Sequence, residues 1–269
     1  MLDQITPVLL TCNEAPNIAR TLSHLRWARD IVVVDSGSTD ATLAILAARP
    51  AVRVFSRPFD GHTNQWRYAV SETGIATPWI LRLDADYRLG DELIAEISRL
   101  DPRAPISAYS IAFDYAIHSR KLRSSLYPPN TILLRQGCFT VRDSGHTEGW
   151  TIDGPVKSLQ ARIIHDDRKD VAAWLNAQGR YMRRELATLP ASNRGLVRRL
   201  RQMPPLMQLA AFFYCLFGKG LILDGRAGLF YALQRLVAES ILSLMVLDES
   251  LRAEDEPVDP PAINGTKSG

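Results

Sequence analysis

Short apolar segments rich in valine and isoleucine alternate with helical patterns over the amino-terminal third of this 269-residue chain. Four of these segments predict strands: Thr6–Thr11, Ile31–Val34, Val52–Phe55 and Trp79–Leu83. The second, IVVV, is β-branched throughout, which suits a strand covered on both faces. Strands that alternate with helices across short connections form βαβ units. We therefore predict an α/β fold with a Rossmann-like, mostly parallel central sheet.

A polar cluster follows three of the four predicted strands. The clusters are Thr11–Glu14, Asp35–Asp40 and Asp84–Asp86. Ligands of open α/β sheets bind outside the carboxyl ends of the strands, where the loops of neighbouring strands meet. We therefore predict that the three clusters contribute to one binding site.

Asp84 and Asp86 are separated by a single residue at the end of a predicted strand. At such a bend both carboxylates can turn toward one hard cation, and their oxygen ligands suit Mg²⁺ or Mn²⁺. Such an ion neutralises the charge of a leaving diphosphate. Acidic pairs are also common in solvated loops, so this motif alone does not establish a metal site.

Asp35 ends the second predicted strand and precedes a run of small residues. Its carboxylate could accept a hydrogen bond from a nucleobase or a ribose hydroxyl, and Gly37 permits a tight turn. Asp40 is better explained as the N-cap of the following helix. Asn13 is predicted to cap the helix after the first strand.

Taken together, three motifs resemble family 2 glycosyltransferases with the GT-A fold: Thr11-Cys12-Asn13-Glu14, VVDSGSTD at 33–40 and LRLDADY at 81–87. The resemblance implies a nucleotide-diphosphate sugar as donor. It implies that Asp84 and Asp86 face the ribose, the diphosphate and the metal. It also implies two groups of donor-site residues: Thr11, Asn13, Glu14 and Asp35 in the nucleoside pocket, and Arg57 and Gln65 nearby. Gln65 could equally be an exposed helix residue.

The second half is similar to bacterial members that build lipopolysaccharide cores and related envelope glycans. The similarity rests on Gly145–Glu148, Asp153-Gly154, His165–Arg168 and Leu223–Gly228. It implies an inverting transfer, in which one general base deprotonates the acceptor hydroxyl. Glu148 is the candidate base, although Thr147 interrupts the His-Glu pair of the family, and Asp153 is the alternative. His165 is a candidate third metal ligand or a structural histidine.

Domain boundaries follow from the change of pattern along the chain. We expect a catalytic domain over residues 1–169, a helical region over 170–250 and a disordered tail over 251–269, which is rich in proline, glycine and charge. A hairpin is predicted between 131–135 and 138–142, around Gln136-Gly137.

The helical region combines arginines with an aromatic apolar stretch, Leu206–Phe217. Basic residues beside such a stretch are typical of a helix at a membrane surface, and a buried helical hairpin is the alternative. No run of about 18 uncharged apolar residues predicts a spanning helix, and Met1 is not followed by a signal-peptide pattern. The expected location is the cytoplasm, peripheral to the inner face of the cytoplasmic membrane.

The sequence argues against two other functions. A nucleotidyltransferase would need a glycine-rich basic loop after the first strand, where this chain has Cys12–Pro16. A non-catalytic scaffold could bind partners through the helical region, but it would not need Asp35, Asp84 and Asp86. The net charge of +3 and the lack of a recognised nucleic-acid motif argue against nucleic-acid binding.

Overall fold

Most of the chain folds into one large β-sheet flanked by helices, as seen in a computed structural model that describes residues 1–143, 148–188 and 206–255. The strands are β1 (Ile5–Thr11), β2 (Ile31–Asp35), β3 (Val52–Ser56), β4 (Trp79–Asp84), β5 (Tyr87–Leu89), β6 (Ala108–Ile117), β7 (Arg120–Lys121), β8 (Asn130–Arg135), β9 (Phe139–Asp143), β10 (Glu148–Ile152) and β11 (Val156–His165). The helices are α1 (Ile18–Ser23), α2 (Thr42–Ala47), α3 (His62–Ser71), α4 (Asp91–Ser98), α5 (Val171–Thr188), α6 (Leu206–Phe213) and α7 (Gly225–Asp255).

The main sheet has the strand order β3-β2-β1-β4-β8-β6-β11-β5, with β7 paired to β6. Strands β1 to β4 are mutually parallel. Strand β8 is antiparallel to both β4 and β6, and β11 is parallel to β6. Because β8 runs opposite to both of its neighbours, β6 and β11 run in the same direction as β1 and β4. All four strands therefore end at the same edge of the sheet. The predicted α/β class with a helical carboxyl-terminal region is confirmed, and beyond β4 the sheet is mixed.

Both faces of the parallel half are buried, as the IVVV segment predicts. Val33 belongs to an apolar cluster on one face, with residues of α1 and α4. Val32 and Val34 belong to the cluster on the other face, with Trp66 and Ala69 of α3. Successive side chains of a strand point to opposite faces, so a strand buried on both sides needs apolar residues at every position.

The hairpin predicted around Gln136-Gly137 is wrong. Strand β8 pairs with β4 and β6 within the main sheet, whereas β9 pairs with β10 in a separate two-stranded sheet. Gly137 has a φ of 80°, and this turn carries the chain out of the main sheet. The β9–β10 ribbon then packs on α3, where the Trp66 and Trp150 rings lie 5.7 Å apart.

The carboxyl-terminal helices dock on the connection between β6 and β8. The Tyr231 hydroxyl of α7 accepts a hydrogen bond from the Leu126 amide at 2.9 Å, and Asp224 accepts one from the Arg123 amide at 2.9 Å. A Cβ added at Gly228 would lie 1.9 Å from the Leu221 carbonyl oxygen, so only glycine fits there. Helix α7 continues to Asp255, past the predicted boundary at 250, and residues 256–269 lie outside the described residues.

The segment Leu221–Glu254 is long and apolar enough to cross a membrane, judged by length and composition only. Arg226, Arg235 and Glu239 interrupt this segment, so it contains no run of about 18 uncharged apolar residues, as expected from the sequence. About a third of its apolar window is buried against the rest of the protein (33%). Core helices of soluble proteins pass the same test, so this feature is weak evidence for a span.

Candidate active site

The carboxyl ends of the parallel strands bring the three predicted polar clusters to one edge of the sheet. Thr11 is paired with Asp35 in the β1–β2 register, and Leu10 is paired with Asp84 in the β1–β4 register. The Thr11 hydroxyl donates a hydrogen bond to Asp35 Oδ2 at 2.8 Å. The prediction that these clusters lie together is therefore correct in its geometry.

Asp35 holds the loop that follows β2. Its Oδ1 accepts hydrogen bonds from the amides of Gly37 and Ser38, at 3.0 and 2.8 Å. Its Oδ2 accepts from the hydroxyls of Thr11 and Ser38, at 2.8 and 2.6 Å. A carboxylate offers about four acceptor positions, and the side chain is fully buried. Asp35 therefore organises the loop, and a direct bond to a nucleoside would require one of the two hydroxyls to turn away.

Asn13 also departs from its predicted role. It does not cap α1, which begins at Ile18 with Asn17 at the capping position. Instead it adopts a positive φ of 55°, and its side-chain oxygen accepts hydrogen bonds from the Thr39 and Asp40 amides at 2.8 and 3.3 Å. Asparagine tolerates this backbone conformation better than most residues. The loops after β1 and β2 are therefore clasped together at the edge of the site.

Arg57, just after β3, and Gln65 of α3 support the same loop. Arg57 pairs with Asp60 and donates to Gln65 Oε1 at 3.0 Å. Gln65 is fully buried rather than exposed, and its Nε2 donates to the Ser36 hydroxyl at 3.0 Å. Both residues thus lie next to the predicted nucleoside pocket, where they stabilise its wall.

Glu14, in the loop after β1, is a largely buried acid that faces a lysine. It contacts the ammonium group of Lys169, and its Oε2 accepts a hydrogen bond from Asn17 Nδ2 at 3.0 Å. Burial raises the pKa of Glu14 to about 7, although Lys169 and Asn17 both favour the ionised form. Lys169 lies just beyond β11, so the predicted nucleoside pocket is closed by a residue 155 positions later in the chain.

Asp84 and Asp86 lie at the end of β4, as predicted, but their surroundings differ. Asp84 is exposed, whereas Asp86 is partly buried and its Oδ2 lies 3.3 Å from His165 Nε2. Burial raises the pKa of Asp86 to about 6, with a further contribution from the charge of Asp84 and an opposing one from His165. His165 itself is stacked on the Tyr115 ring, with centroids 4.7 Å apart.

A divalent cation fits the donor atoms at this position. Asp86 Oδ1 is buried and has no hydrogen-bond partner within the described part of the chain. A buried carboxylate oxygen without a partner is costly, and a hard cation would satisfy it. The described residues contain no group of three or more His, Cys, Asp or Glu side chains arranged to hold a metal. The oxygens of Asp84 and Asp86 therefore remain the candidate ligands, and His165 contacts Asp86 without completing a cluster.

Asp153, the alternative base, lies at the opposite edge of the sheet, and the structure does not bring it together with Asp84 and Asp86. Its amide donates to the Cys138 carbonyl at 2.8 Å, and Cys138 in turn donates to the carbonyl of Arg135. Arg135 is paired with Trp79, the first residue of β4. Asp84 is five residues further along β4, a distance of about 16 Å. The sequence could not exclude Asp153, because the course of β9 and β10 was not predicted.

Glu148 begins β10 at the other end of the ribbon, paired with Asp143. Between Asp153 and Glu148 lies Trp150, whose ring is 4.8 Å from the Arg82 guanidinium of β4. The ribbon therefore runs back along β4 and brings the Glu148 backbone toward the edge of the site. The side chain of Glu148 and the segment Gly145–Thr147 lie outside the described structure.

The amino-terminal half of the chain matches a known protein family. The sequence model for "Glycosyl transferase family 2" matches residues 7–132. Those residues form a family 2 glycosyltransferase domain. The match includes all three polar clusters at the edge of the sheet and ends within β8.

Curated relatives agree with this family. An uncharacterized glycosyltransferase of Rickettsia felis is 38% identical over 97 residues, which are 36% of this chain and 33% of that protein. The lipopolysaccharide core biosynthesis glycosyltransferase LpsC of Rhizobium meliloti is 30% identical over 97 residues, 35% of each chain. This chain thus spans about a third of the length of the curated relatives it matches.

Among solved structures, S. aureus TarS 1-349 in complex with UDP-GlcNAc aligns over 93% of this chain and 92% of that chain. The sequence identity is 13% and the TM-score is 0.47. A similarity of this size does not indicate the function of the family 2 domain.

The loop after β11 contains a buried acid that sequence reasoning missed. Asp166 is fully buried and lies among three guanidiniums, those of Arg20 at 2.8 Å, Arg168 at 3.1 Å and Arg88 at 3.4 Å. Its amide donates to the Asp86 carbonyl at 3.2 Å. The sequence signal for this loop is the run His-Asp-Asp-Arg-Lys at a strand end, in which the prediction assigns a role to His165 alone.

Proposed function

We propose that this protein transfers a sugar, with inversion, from a nucleotide-diphosphate donor to a hydroxyl of a cell-envelope glycan or lipid-linked acceptor. The observation that carries the proposal is the alignment of Thr11, Asp35 and Asp84 at one sheet edge, beside the unpartnered Oδ1 of Asp86. This arrangement belongs to a family 2 domain. The match to LpsC supports an envelope acceptor, since that relative is named for lipopolysaccharide core biosynthesis.

The donor would occupy the edge of the sheet from the β1–β2 loops to the end of β4. Thr11, Asn13, Glu14 and the Asp35 loop would surround the nucleoside. Asp84 and Asp86 would hold Mg²⁺ or Mn²⁺, which supplies positive charge to the diphosphate. A pocket of about 150 Å³ beside Asp84 would accept the sugar, and it is lined by Arg82, Asp84, Tyr87, Tyr127, Asn130 and Ile132.

In the transfer step the acceptor oxygen attacks the anomeric carbon as the bond from that carbon to the diphosphate oxygen breaks. The proton of the acceptor hydroxyl passes to the Glu148 carboxylate, and the nucleoside diphosphate leaves. Direct displacement inverts the configuration of the anomeric carbon. The course of the β9–β10 ribbon along β4 supports Glu148 in this role.

The test is nucleotide release by the purified chain with Mg²⁺ or Mn²⁺, against UDP-, GDP- and ADP-linked sugars. We expect slow, metal-dependent hydrolysis of one donor, which would also identify the nucleotide. Glu148→Gln should lower this turnover at least a hundredfold, because general-base catalysis contributes about 10²–10⁴-fold. Asp153→Asn is the matched control and should retain wild-type turnover. Absence of nucleotide binding and release with every donor would favour the scaffold function.

An anionic membrane surface is proposed as the place of action. Five large apolar side chains around the turn between α6 and α7 are exposed: Phe213, Tyr214, Phe217, Ile222 and Leu223. Lys219 and Arg226 flank them, and the acid Asp224 is paired with Arg123 at 3.3 Å. Aromatic and aliphatic side chains beside cations favour the interface of an anionic bilayer. The arginine-rich segment 194–201, on which the sequence prediction also relied, lies outside the described residues.

Sedimentation with vesicles tests this location. The wild-type protein should co-sediment with vesicles that contain anionic phosphatidylglycerol. The double variant Phe217→Ser, Leu223→Ser should bind these vesicles at least tenfold more weakly. Leu43→Ser on α2 alters an exposed leucine of the family 2 domain and should bind like the wild type. Equal binding of the double variant and the wild type would contradict this surface.

A further inference from the structure

A metal ion alone does not neutralise the negative charge that develops at the proposed site during the transfer. The carboxylates of Asp84 and Asp86 together offset the two positive charges of a divalent ion. A nucleoside diphosphate gains one further negative charge as its bond to the sugar breaks. Stabilisation of that developing charge is commonly a large contribution to catalysis, and here it calls for a cation of the chain itself.

Most cations near the sheet edge are bound to acids or rings of the protein. Arg20, Arg88 and Arg168 surround the buried Asp166. Arg57 forms a two-point pair with Asp60. The Arg82 guanidinium lies between the Trp66 and Trp150 rings, at 5.5 and 4.8 Å from their centroids.

Lys169 is also paired with an acid, but that acid, Glu14, belongs to the predicted nucleoside pocket. Its ammonium group contacts Glu14 and retains two further N–H donors, because an ammonium carries three. Within the described residues, Nζ has no second hydrogen-bond partner. The side chain is 28% exposed, so its remaining donors are accessible to a ligand.

The position of Lys169 is fixed by the loop after β11. Its backbone amide donates to Asp167 Oδ1 at 3.0 Å, and the same oxygen accepts a hydrogen bond from Asn17 Nδ2 at 2.7 Å. Asn17 Nδ2 also donates to Glu14 at 3.0 Å. The lysine is thus held at both its backbone and its head group, which reduces the entropy lost when a ligand binds.

Lys169 lies between the two halves of the proposed donor site. Glu14, which it contacts, belongs to the predicted nucleoside pocket. On the other side, the loop that carries Lys169 contacts Asp86, because the Asp166 amide, three residues before Lys169, donates to the Asp86 carbonyl at 3.2 Å. In a nucleotide sugar the diphosphate joins the nucleoside to the sugar, and it therefore occupies the space between these two groups.

We propose that Lys169 is a diphosphate-binding residue, whose ammonium group donates to a phosphate oxygen while it remains paired with Glu14. This inference rests on the proposed function, because it assumes a nucleotide-diphosphate donor at the same edge of the sheet. It assigns the loop after β11, outside the residues matched by the family, to donor binding. The interaction strengthens as the diphosphate leaves, since the phosphate charge grows.

The experiment compares the affinity of the full chain for a nucleoside diphosphate and the corresponding monophosphate by calorimetry with Mn²⁺ present. UDP, GDP and ADP are titrated first, and the nucleotide that the wild type binds is used thereafter. Lys169→Ala should weaken diphosphate binding at least tenfold, as expected for a charge-assisted hydrogen bond. Monophosphate affinity should change less than threefold. Lys169→Arg should restore most of the diphosphate affinity, because it keeps the charge.

Lys157→Ala is the matched control, because it removes an exposed lysine from the beginning of the same β11 strand. It should bind both nucleotides like the wild type. If Lys169 acted only by positioning Glu14, both affinities would fall equally in Lys169→Ala, and the inference would be overturned. Unchanged diphosphate affinity would overturn it as well. If the wild type binds none of the three diphosphates, the proposed function itself fails, and this inference fails with it.

Discussion

Replacement of the buried Asp166 by asparagine should destabilise the protein by about 3 kcal/mol. Removing one partner of a buried ion pair costs about 3–5 kcal/mol, because the remaining charges lose their compensation. Here three guanidiniums at 2.8, 3.1 and 3.4 Å lose the same carboxylate. Their side chains are 30%, 27% and 28% exposed, so water recovers part of the loss and the lower end of the range applies.

Urea unfolding at neutral pH, followed by circular dichroism, measures this effect. Asp101→Asn is the control, since Asp101 and Arg103 are exposed and their charged atoms lie 3.9 Å apart. A pair of that kind contributes about 0–1 kcal/mol. If Asp166→Asn unfolds within 0.5 kcal/mol of the wild type, which is the usual range for a neutral surface substitution, the arginine cluster does not contribute to stability as argued.

The pH dependence provides a second check on Asp166. Burial opposes its ionisation, but hydrogen bonds from Arg168 and Ser119 and the nearby arginine charges outweigh that effect, so its pKa lies below the ordinary 3.8. A lowered pKa means that the stabilisation is complete above about pH 4 and is lost as pH falls through the folded-state pKa. The wild type should therefore lose its advantage over Asp166→Asn in acid. A constant difference down to pH 2 would contradict this account.

Three further experiments test other parts of the structure. Asp86→Ala should abolish metal-dependent turnover without unfolding the chain, and full activity with Mn²⁺ would remove Asp86 from the proposed metal site. Gly228→Ala should destabilise the protein by about 2 kcal/mol or more, because its Cβ would meet the Leu221 carbonyl oxygen at 1.9 Å. Gly179→Ala is the control. It lies in the open middle of α5 and should stabilise the protein by about 0.5–1 kcal/mol. Burial raises the Glu14 pKa from 4.5 to about 7, so the wild type should lose about 3 kcal/mol of stability relative to Glu14→Gln as pH rises between those values. Urea unfolding across this pH range would show no such change if Glu14 titrated normally.

The parallel half of the sheet and its polar edge were predictable from the sequence. Each strand there follows the previous one through a single helix, so local apolar patterns define both the strands and the edge at which they end. Asp84 and Asp86 were placed correctly for that reason.

The second half depends on pairings between distant segments, and local patterns do not encode them. Strand β11 pairs with β6 and β5, and β9 leaves the main sheet after Gly137. For this reason the sequence did not reveal that Asp153 lies away from Asp84, or that Asp166 is buried among arginines. The predicted cap at Asn13 failed for a related cause, because its side chain bonds to the loop after β2 rather than to its own helix.

The aromatic contacts beside His165 have a consequence for any attempt to produce a shorter protein. Tyr231 of α7 packs edge-on against Tyr115 at 5.0 Å, Tyr115 stacks on His165 at 4.7 Å, and His165 reaches Asp86. A fragment that ends at residue 169 would retain every residue matched by the family, yet the outer ring of this stack would be missing. Recombinant fragments intended for crystallography or enzyme assays should therefore extend through α7, even though the family 2 match ends at residue 132.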